Sequence, residues 1–199
     1  TNESKTPLGE MDLIGFTLQS ELTYTSILNM IDLAGLPLRS ADRPDGTPLI
    51  CAGGPTAFNP EPLAPFIDFF ALGDGEDVIV EIAECLRTLR GRPRRERLEA
   101  VAGIEGVYAP ELYPFDVLPD GAILPAVDAP RITKRIVRDL NDAAFPADAI
   151  VPYAEQVHDR AGLEVLRGCT QGCRFCQAGM VTRPVRERSV ETISDMMQR

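Results

Sequence analysis

The sequence has few thiols, a single histidine and no long apolar run. Its 199 residues include five cysteines and one histidine, and the formal net charge is -10. An odd number of cysteines argues against a disulfide framework, and no apolar run approaches the roughly 20 residues that cross a bilayer. The acidic excess disfavours tight nonspecific binding to nucleic acid, which needs clustered lysine and arginine. We therefore expect no membrane partner and a location in the reducing cytoplasm.

The two ends of the sequence also lack something. The chain does not begin with methionine, and it stops within residues 189–199, a segment with the spacing of an amphipathic helix. We therefore expect a piece of a longer protein that has no activity by itself. Its content of 44% hydrophobic and 25% charged residues is that of an ordinary globular protein.

The first hundred residues alternate between apolar runs and helical patterns. Runs at 11–18, 47–54 and 66–77 have the length of buried strands, and 26–36 and 78–91 place apolar residues at helical spacing. This alternation predicts an α/β fold with a parallel sheet. Glycine-rich segments follow two of the strands, at the edge where open α/β sheets bind ligands. Cofactor binding and simple turns are both open for Gly53, Gly54, Gly73, Gly75 and Glu76.

Residues 103–157 have a different pattern. Two β-rich pieces flank Pro119, Asp120 and Gly121, which is typical of a hairpin. The following residues have scattered prolines and no sustained periodicity, so we expect a linker. Beyond it, 163–168 has the pattern of a strand, and Ser189 can cap a final helix.

Three of the five cysteines, Cys169, Cys173 and Cys176, lie within eight positions at C-x3-C-x2-C spacing. Three thiolates can hold a [4Fe-4S] cluster by three of its irons and leave the fourth iron open. A zinc site would need a fourth cysteine or histidine, and His158 lies eleven residues before Cys169. A redox pair of Cys173 and Cys176 would leave Cys169 without a role. Iron-sulfur, zinc and redox functions all stay open on spacing alone.

The cysteine spacing, with Phe175 just before the third cysteine at the end of a strand, resembles the signature of the radical S-adenosylmethionine (radical SAM) enzymes. The resemblance implies that the three cysteines ligate a [4Fe-4S] cluster whose open iron binds S-adenosylmethionine. It implies reductive cleavage of that cofactor to a 5'-deoxyadenosyl radical, with Phe175 packing beside the adenine. It also implies an electron donor such as flavodoxin or ferredoxin.

The residues around the cysteines offer weaker signals. Gly168 and Gly172 would let the backbone approach a cluster, although loop geometry explains them equally well. Residues 158–188 contain six arginines and three acidic residues, which is typical of either a solvated surface or a site for an anionic group. We expect a solvated face for Arg183, Arg186 and Arg188, and a structural role for His158.

The first half of the sequence carries a second resemblance. GFTLQSE, AGGPTAFNPEP and GDGE, each after a predicted strand, resemble the cobalamin-binding type of doubly wound domain. With the cysteine segment, they are similar to an uncharacterised bacterial subfamily of B12-binding-domain radical SAM proteins. The resemblance adds Thr17 and Gln19 to the cofactor-binding candidates and cobalamin to the cofactors. The chain lacks the D-x-H-x-x-G loop that ligates cobalt in many cobalamin proteins, so a docking domain and a corrinoid carrier remain alternatives.

The expected architecture therefore has three parts. A cobalamin-binding-like, Rossmann-like domain occupies 1–102, a hairpin and linker occupy 103–157, and the first βα unit of a partial TIM-type barrel occupies 158–199. We expect Cys51 and Cys85, which lie in apolar patterns, to be small buried hydrophobic residues.

Overall fold

The structure is a computed structural model that describes residues 4–146, 153–155, 157, 160 and 162–198. The chain divides into two compact units, residues 1–136 and 137–199. This division lies between the boundaries expected at 102 and 157, and the division into three parts stays a prediction. Among the described residues, no helix combines the length and the apolar character needed to cross a bilayer.

The first unit is built on a four-stranded sheet. Its strands are β1 (Leu13–Thr17), β2 (Leu49–Gly53), β3 (Phe69–Ala71) and β4 (Val107–Tyr108), in that order across the sheet. The first three are parallel, and β4 is antiparallel to β3. The parallel α/β sheet expected from the sequence is confirmed, whereas β4 lies in the region expected to form only a hairpin and linker.

Helices cover both faces of this sheet. The connection from β1 to β2 is α1 (Tyr24–Leu33), and the connection from β3 to β4 contains α2 (Glu76–Thr88) and α3 (Arg94–Ala102). One core packs α1 against one face, and a second core packs α2 and α3 against the other. Alternate strand residues supply the two cores, and each fully buried aliphatic side chain contributes about 1.5–3 kcal/mol to stability. This layering is that of a doubly wound fold.

A buried ion cluster joins the start of β3 to α3. Asp68 accepts hydrogen bonds from the hydroxyl of Ser40 at 2.6 Å and from Arg43 Nη1 at 2.7 Å, and it also contacts Arg94. Its second oxygen accepts the backbone N–H of Ile50 at 2.7 Å. The carboxylate is fully buried, so its charge is compensated by these groups and not by water.

The predicted hairpin is formed by β5 (Phe115–Val117) and β6 (Ile123–Pro125), with Val117 opposite Ile123. The segment that follows is more than the linker we expected. Arg135 forms a parallel bridge with Gly73, and Ile132 packs against the first core. The absence of periodicity hid these contacts, because single residues and not a regular element make them.

The second unit contains β7 (Leu166–Arg167), α4 (Ala178–Val181), β8 (Arg186–Glu187) and α5 (Val190–Gln198). β7 and β8 pair antiparallel, and the βα barrel unit stays a prediction. Ser189 caps α5, because its hydroxyl accepts the N–H of Thr192 at 3.1 Å, as the sequence predicts.

Candidate functional site

The carboxyl ends of β1 and β2 are tied together by their own backbones. Leu18 donates its N–H to the carbonyl of Gly53 at 2.6 Å, and its carbonyl accepts the N–H of Thr56 at 3.1 Å. Gly54 has φ of 109°, and a Cβ on it would lie 2.9 Å from the Leu18 carbonyl oxygen. A Cβ on Gly53 would lie 3.3 Å from the Ala71 carbonyl oxygen. The close approach of chain to chain accounts for Gly54 without any ligand.

The exit of β3 is filled by another segment of the same unit. Arg135 donates its N–H to the carbonyl of Leu72 at 2.8 Å, and its carbonyl accepts the N–H of Asp74 at 3.0 Å. Gly73, with φ of 101°, gives this backbone room, and Gly106 leaves space for the Arg135 side chain. Gly73, a predicted cofactor-binding residue, therefore contacts the chain itself.

Of the four other predicted residues at this sheet edge, three are open to a ligand. Thr17, the last residue of β1, and Gln19, two residues further on, are exposed, and a Cβ added to Gly75 would meet no other atom within 4 Å. Glu76 is half-buried in the first turn of α2, where a negative charge complements the helix dipole. The structure thus brings the predicted residues to one edge, and Thr17, Gln19 and Gly75 are the ones that a ligand could reach.

The three clustered cysteines lie on one loop between β7 and α4. All are free thiols, with Cys173 exposed and Cys169 and Cys176 half-buried. The N–H of Cys176 donates to the carbonyl of Cys173 at 3.1 Å, and the N–H of Gln171 donates to Cys169 Sγ at 3.4 Å. The thiolate is the form of cysteine that binds metals.

The loop matches an iron-sulfur cluster in ligand type and number. In the described ranges, no three or more cysteine, histidine or carboxylate side chains converge as a metal site, and His158 lies outside those ranges. The loop nevertheless offers three thiols within eight residues, none of them in a disulfide. Three cysteines from one short loop are a ligand set suited to such a cluster.

The two predicted glycines of the loop differ in their surroundings. Gly168 has φ of 100°, and a Cβ on it would lie 2.6 Å from the carbonyl oxygen of Pro184. Gly172 has nothing within 4 Å of that position. Gly168 is therefore required for the loop to pass Pro184, and Gly172 is open. Phe175 is 92% exposed beside the third cysteine.

Arg183 supports the cysteine loop, which the sequence did not predict. Its side chain donates to the carbonyl of Cys169 at 3.5 Å and to the carbonyl of Gln171 at 3.3 Å. These are long hydrogen bonds, but both hold backbone on the amino-terminal side of the loop. A cis peptide precedes Pro184.

Arg186 and Arg188 correct our expectation of a solvated face, because both are buried. Arg186 donates to the carbonyl of Val137 at 2.7 Å, and Arg188 donates to Glu164 Oε2 at 3.0 Å. Backbone carbonyls in the second unit need donors, and these guanidinium groups supply them. Burial alone would raise the pKa of Glu164, but hydrogen bonds from Arg167 and Arg188 hold that pKa below its ordinary value.

The remaining cysteines lie in the first unit. Cys51 is buried in β2, and burial raises the pKa of its thiol to about 12. Cys85 is half-buried against the second core. Cys51 is the small buried hydrophobic residue that we expected, whereas Cys85 packs against the core but is only partly buried.

These features define the class: an α/β protein with a doubly wound sheet and a separate loop of three free cysteines. A family model described as radical SAM proteins, N-terminal, matches residues 1–110. The chain therefore belongs to this family of radical SAM proteins. The matched residues lie within the first unit and do not include the cysteine loop.

One solved structure shows a more distant likeness. It is that of the radical S-adenosylmethionine methyltransferase TsrM from Kitasatospora setae, with cobalamin and a [4Fe-4S] cluster bound. The identity is 19% and the TM-score is 0.45, and the alignment covers 94% of this chain and 35% of the TsrM chain. The chain thus spans about a third of the length of that protein. No curated protein matches the chain significantly.

Proposed function

We propose that this chain is part of a radical SAM enzyme in which Cys169, Cys173 and Cys176 hold a [4Fe-4S] cluster. The observation that carries the proposal is a loop with three free thiols at C-x3-C-x2-C spacing, in a chain of the radical SAM family. When bound, such a cluster supplies the electron that cleaves S-adenosylmethionine to a 5'-deoxyadenosyl radical.

The residues of the chain would hold and orient these groups. The three cysteine thiolates would hold the cluster, and Arg183 supports the backbone that carries Cys169. Phe175 offers an exposed ring face against which an adenine can stack. The exposure of Cys173 leaves access for an electron donor such as flavodoxin or ferredoxin.

Cobalamin at the sheet edge is a separate candidate with weaker support. Gly53, Gly54 and Gly73 face the chain's own backbone, and the described residues include no histidine that could ligate cobalt. The residues therefore do not fit a protein-ligated cobalt, and we derive no step through a corrinoid. Titrating the chain with cobalamin tests the site, because binding would change the corrinoid spectrum and raise the Tm.

Anaerobic reconstitution with iron and sulfide tests the cluster. We expect the chain to gain iron, sulfide and visible charge-transfer absorbance, and we expect a triple Cys→Ala variant at 169, 173 and 176 to gain none. Cys85→Ala is the matched control, because Cys85 lies in the first unit, and it should load like the wild type. S-adenosylmethionine should alter the electron paramagnetic resonance spectrum of the reduced cluster. Stoichiometric zinc without iron, or equal iron in the triple variant, would overturn the proposal in favour of a zinc or redox module.

A further inference from the structure

The first unit contains an apolar cavity of about 300 Å³ that no step of the proposed function uses. Leu72, the residue after β3, lines it, so the cavity lies at the carboxyl edge of the parallel sheet, where open α/β sheets bind ligands. Its volume is at the lower end of the range for small-molecule sites, and its lining is mostly aliphatic and aromatic.

Two tyrosines form a fixed wall of the cavity. The rings of Tyr108 and Tyr113 meet edge to face, with centroids 5.1 Å apart. The hydroxyl of Tyr113 donates to the carbonyl of Pro130 at 2.6 Å, and the hydroxyl of Tyr108 donates to Glu61 Oε1 at 2.6 Å. Because both hydroxyls are held, the ring faces keep their positions without a ligand.

The hairpin supplies another part of the cavity lining. Phe115 and Ile123 lie on one face of β5 and β6 and line the cavity, yet they are 40% and 59% exposed. Apolar side chains that surround a cavity while remaining accessible are typical of a ligand site and not of a completed core.

Glu61 gives the cavity its charge. In the described part of the chain, Glu61 accepts a hydrogen bond from Tyr108 but forms no ion pair. Burial and the Glu61 carboxylate raise the pKa of Tyr108, so its hydroxyl stays protonated and remains a donor. Glu61 is exposed, so water solvates its charge when no ligand is bound, and a carboxylate beside an apolar wall is complementary to a ligand with a positive charge.

We propose that this cavity binds a small molecule that combines an apolar ring with an ammonium group. The ring would lie against Tyr108, Tyr113 and Phe115, and the ammonium group would pair with Glu61. Aromatic faces next to the carboxylate add a cation–π attraction for the same group. The proposal is independent of the cluster, because every residue it uses lies in the first unit.

Two fluorescent probes with the same ring test the charge requirement. The chain has no tryptophan to obscure naphthyl emission, so 1-naphthylmethylamine and 1-naphthylacetate can be titrated into it directly. We expect saturable binding of the amine at one site, about tenfold tighter than the acid, because the Glu61 carboxylate attracts the ammonium group and repels the carboxylate of the acid. Absence of saturable binding, or equal affinity for the two probes, would overturn the proposal.

Variants of the chain test whether the probes bind in this cavity. Glu61→Gln should abolish the preference for the amine, and Glu21→Gln, at an exposed glutamate outside the cavity, should keep it. Phe115→Ala should weaken the binding of both probes about fivefold or more, because the contact with the ring is lost. The Tm of each variant verifies that it is folded. If Glu61→Gln unfolds the unit, two other measurements show whether the probes bind in the cavity. These are the probe affinity of Phe115→Ala and the changes that the probes cause in the NMR chemical shifts of the Ile123 and Ile132 methyl groups. Unchanged affinity in Phe115→Ala, or shifts confined to other residues, contradicts the assignment.

Discussion

The carbonyl oxygen of Arg135 occupies the place where a side chain on Gly73 would begin. Residues 62 positions apart are thereby joined backbone to backbone at the end of β3. The glycine that we predicted to approach a cofactor instead makes room for the chain itself.

This contact predicts that Gly73→Ala destabilises the first unit. The substitution combines a left-handed φ of 101° with a clash against Arg135, so we expect a loss of at least about 2 kcal/mol in the free energy of unfolding. Gly75→Ala is the matched control, because Gly75 has φ of -89° and open space around it. Urea unfolding of both variants measures the difference, and equal stabilities would contradict the structural role of Gly73.

The buried cluster at Asp68 predicts a large effect of removing one charge. Asp68→Asn would leave Arg43 and Arg94 buried without their carboxylate, so we expect a loss of about 3–5 kcal/mol. Asp12→Asn removes an exposed partner of Arg90 and should cost less than about 1 kcal/mol. Denaturant unfolding compares the two, and a cost for Asp68→Asn as small as that for Asp12→Asn would show that the cluster does not hold the fold.

Gly168 predicts a specific requirement in the cysteine loop. Gly168→Ala places a methyl group against Pro184 and should displace Cys169, so we expect reconstituted iron to fall severalfold. Gly172→Ala, on the same loop but in open space, should retain iron. Iron and sulfide analysis after anaerobic reconstitution measures the cluster content of both variants. A Gly168→Ala variant that binds as much iron as the wild type would contradict the requirement for glycine at this position.

Arg183→Gln should weaken iron retention without abolishing it, because it removes two long hydrogen bonds to the loop. Arg174→Gln, at an exposed arginine within the loop, serves as the control. The rate of iron loss to a chelator compares the variants. Identical rates for Arg183→Gln and the wild type would show that Arg183 does not support the loop.

From the hydrogen bonds of Glu164 with Arg167 and Arg188, we predict that acid destabilises the second unit. Burial raises the pKa of Glu164, but the hydrogen bonds and charges of Arg167 and Arg188 lower it by more than burial raises it. The folded pKa therefore lies below the ordinary value of 4.5. The ionised form therefore adds stability that is present above pH 4.5 and is lost as the pH falls through the folded pKa. Glu164→Gln should flatten this pH dependence. Hydrogen exchange of β7 and β8 amides against pH measures it, and an unchanged profile in the variant would contradict the assignment.

The sequence predicted the regular parts of the molecule well. Apolar runs of strand length and helical spacing located β1, β2, α1 and α2, and the Pro119–Gly121 turn located the hairpin. These elements follow from local periodicity. The strand pattern at 163–168 located β7, but the two-residue strands β4 and β8 are too short for a period to be seen, and α3 begins with a run of arginines that gives no apolar stripe.

The candidate site was predicted in its residues but not in its contacts. C-x3-C-x2-C spacing identified the cysteine loop, because ligand spacing is a local property. The burial of Arg186 and Arg188 depends on carbonyl groups more than 40 residues away, and the pairing of Glu61 with Tyr108 spans 47 residues. Long-range partners of this kind leave no pattern in a single sequence, so only the fold reveals them.

The burial of β2 on both faces changes how its alignment with β3 must be fixed. Leu49, Ile50, Cys51 and Ala52 are all buried, so sliding the strand by one position would exchange one apolar surface for another. Hydrophobic patterning therefore discriminates poorly between the two alignments. The carboxylate of Asp68 makes the distinction, because it receives the N–H of Ile50 and a shifted strand would leave that bond unmade.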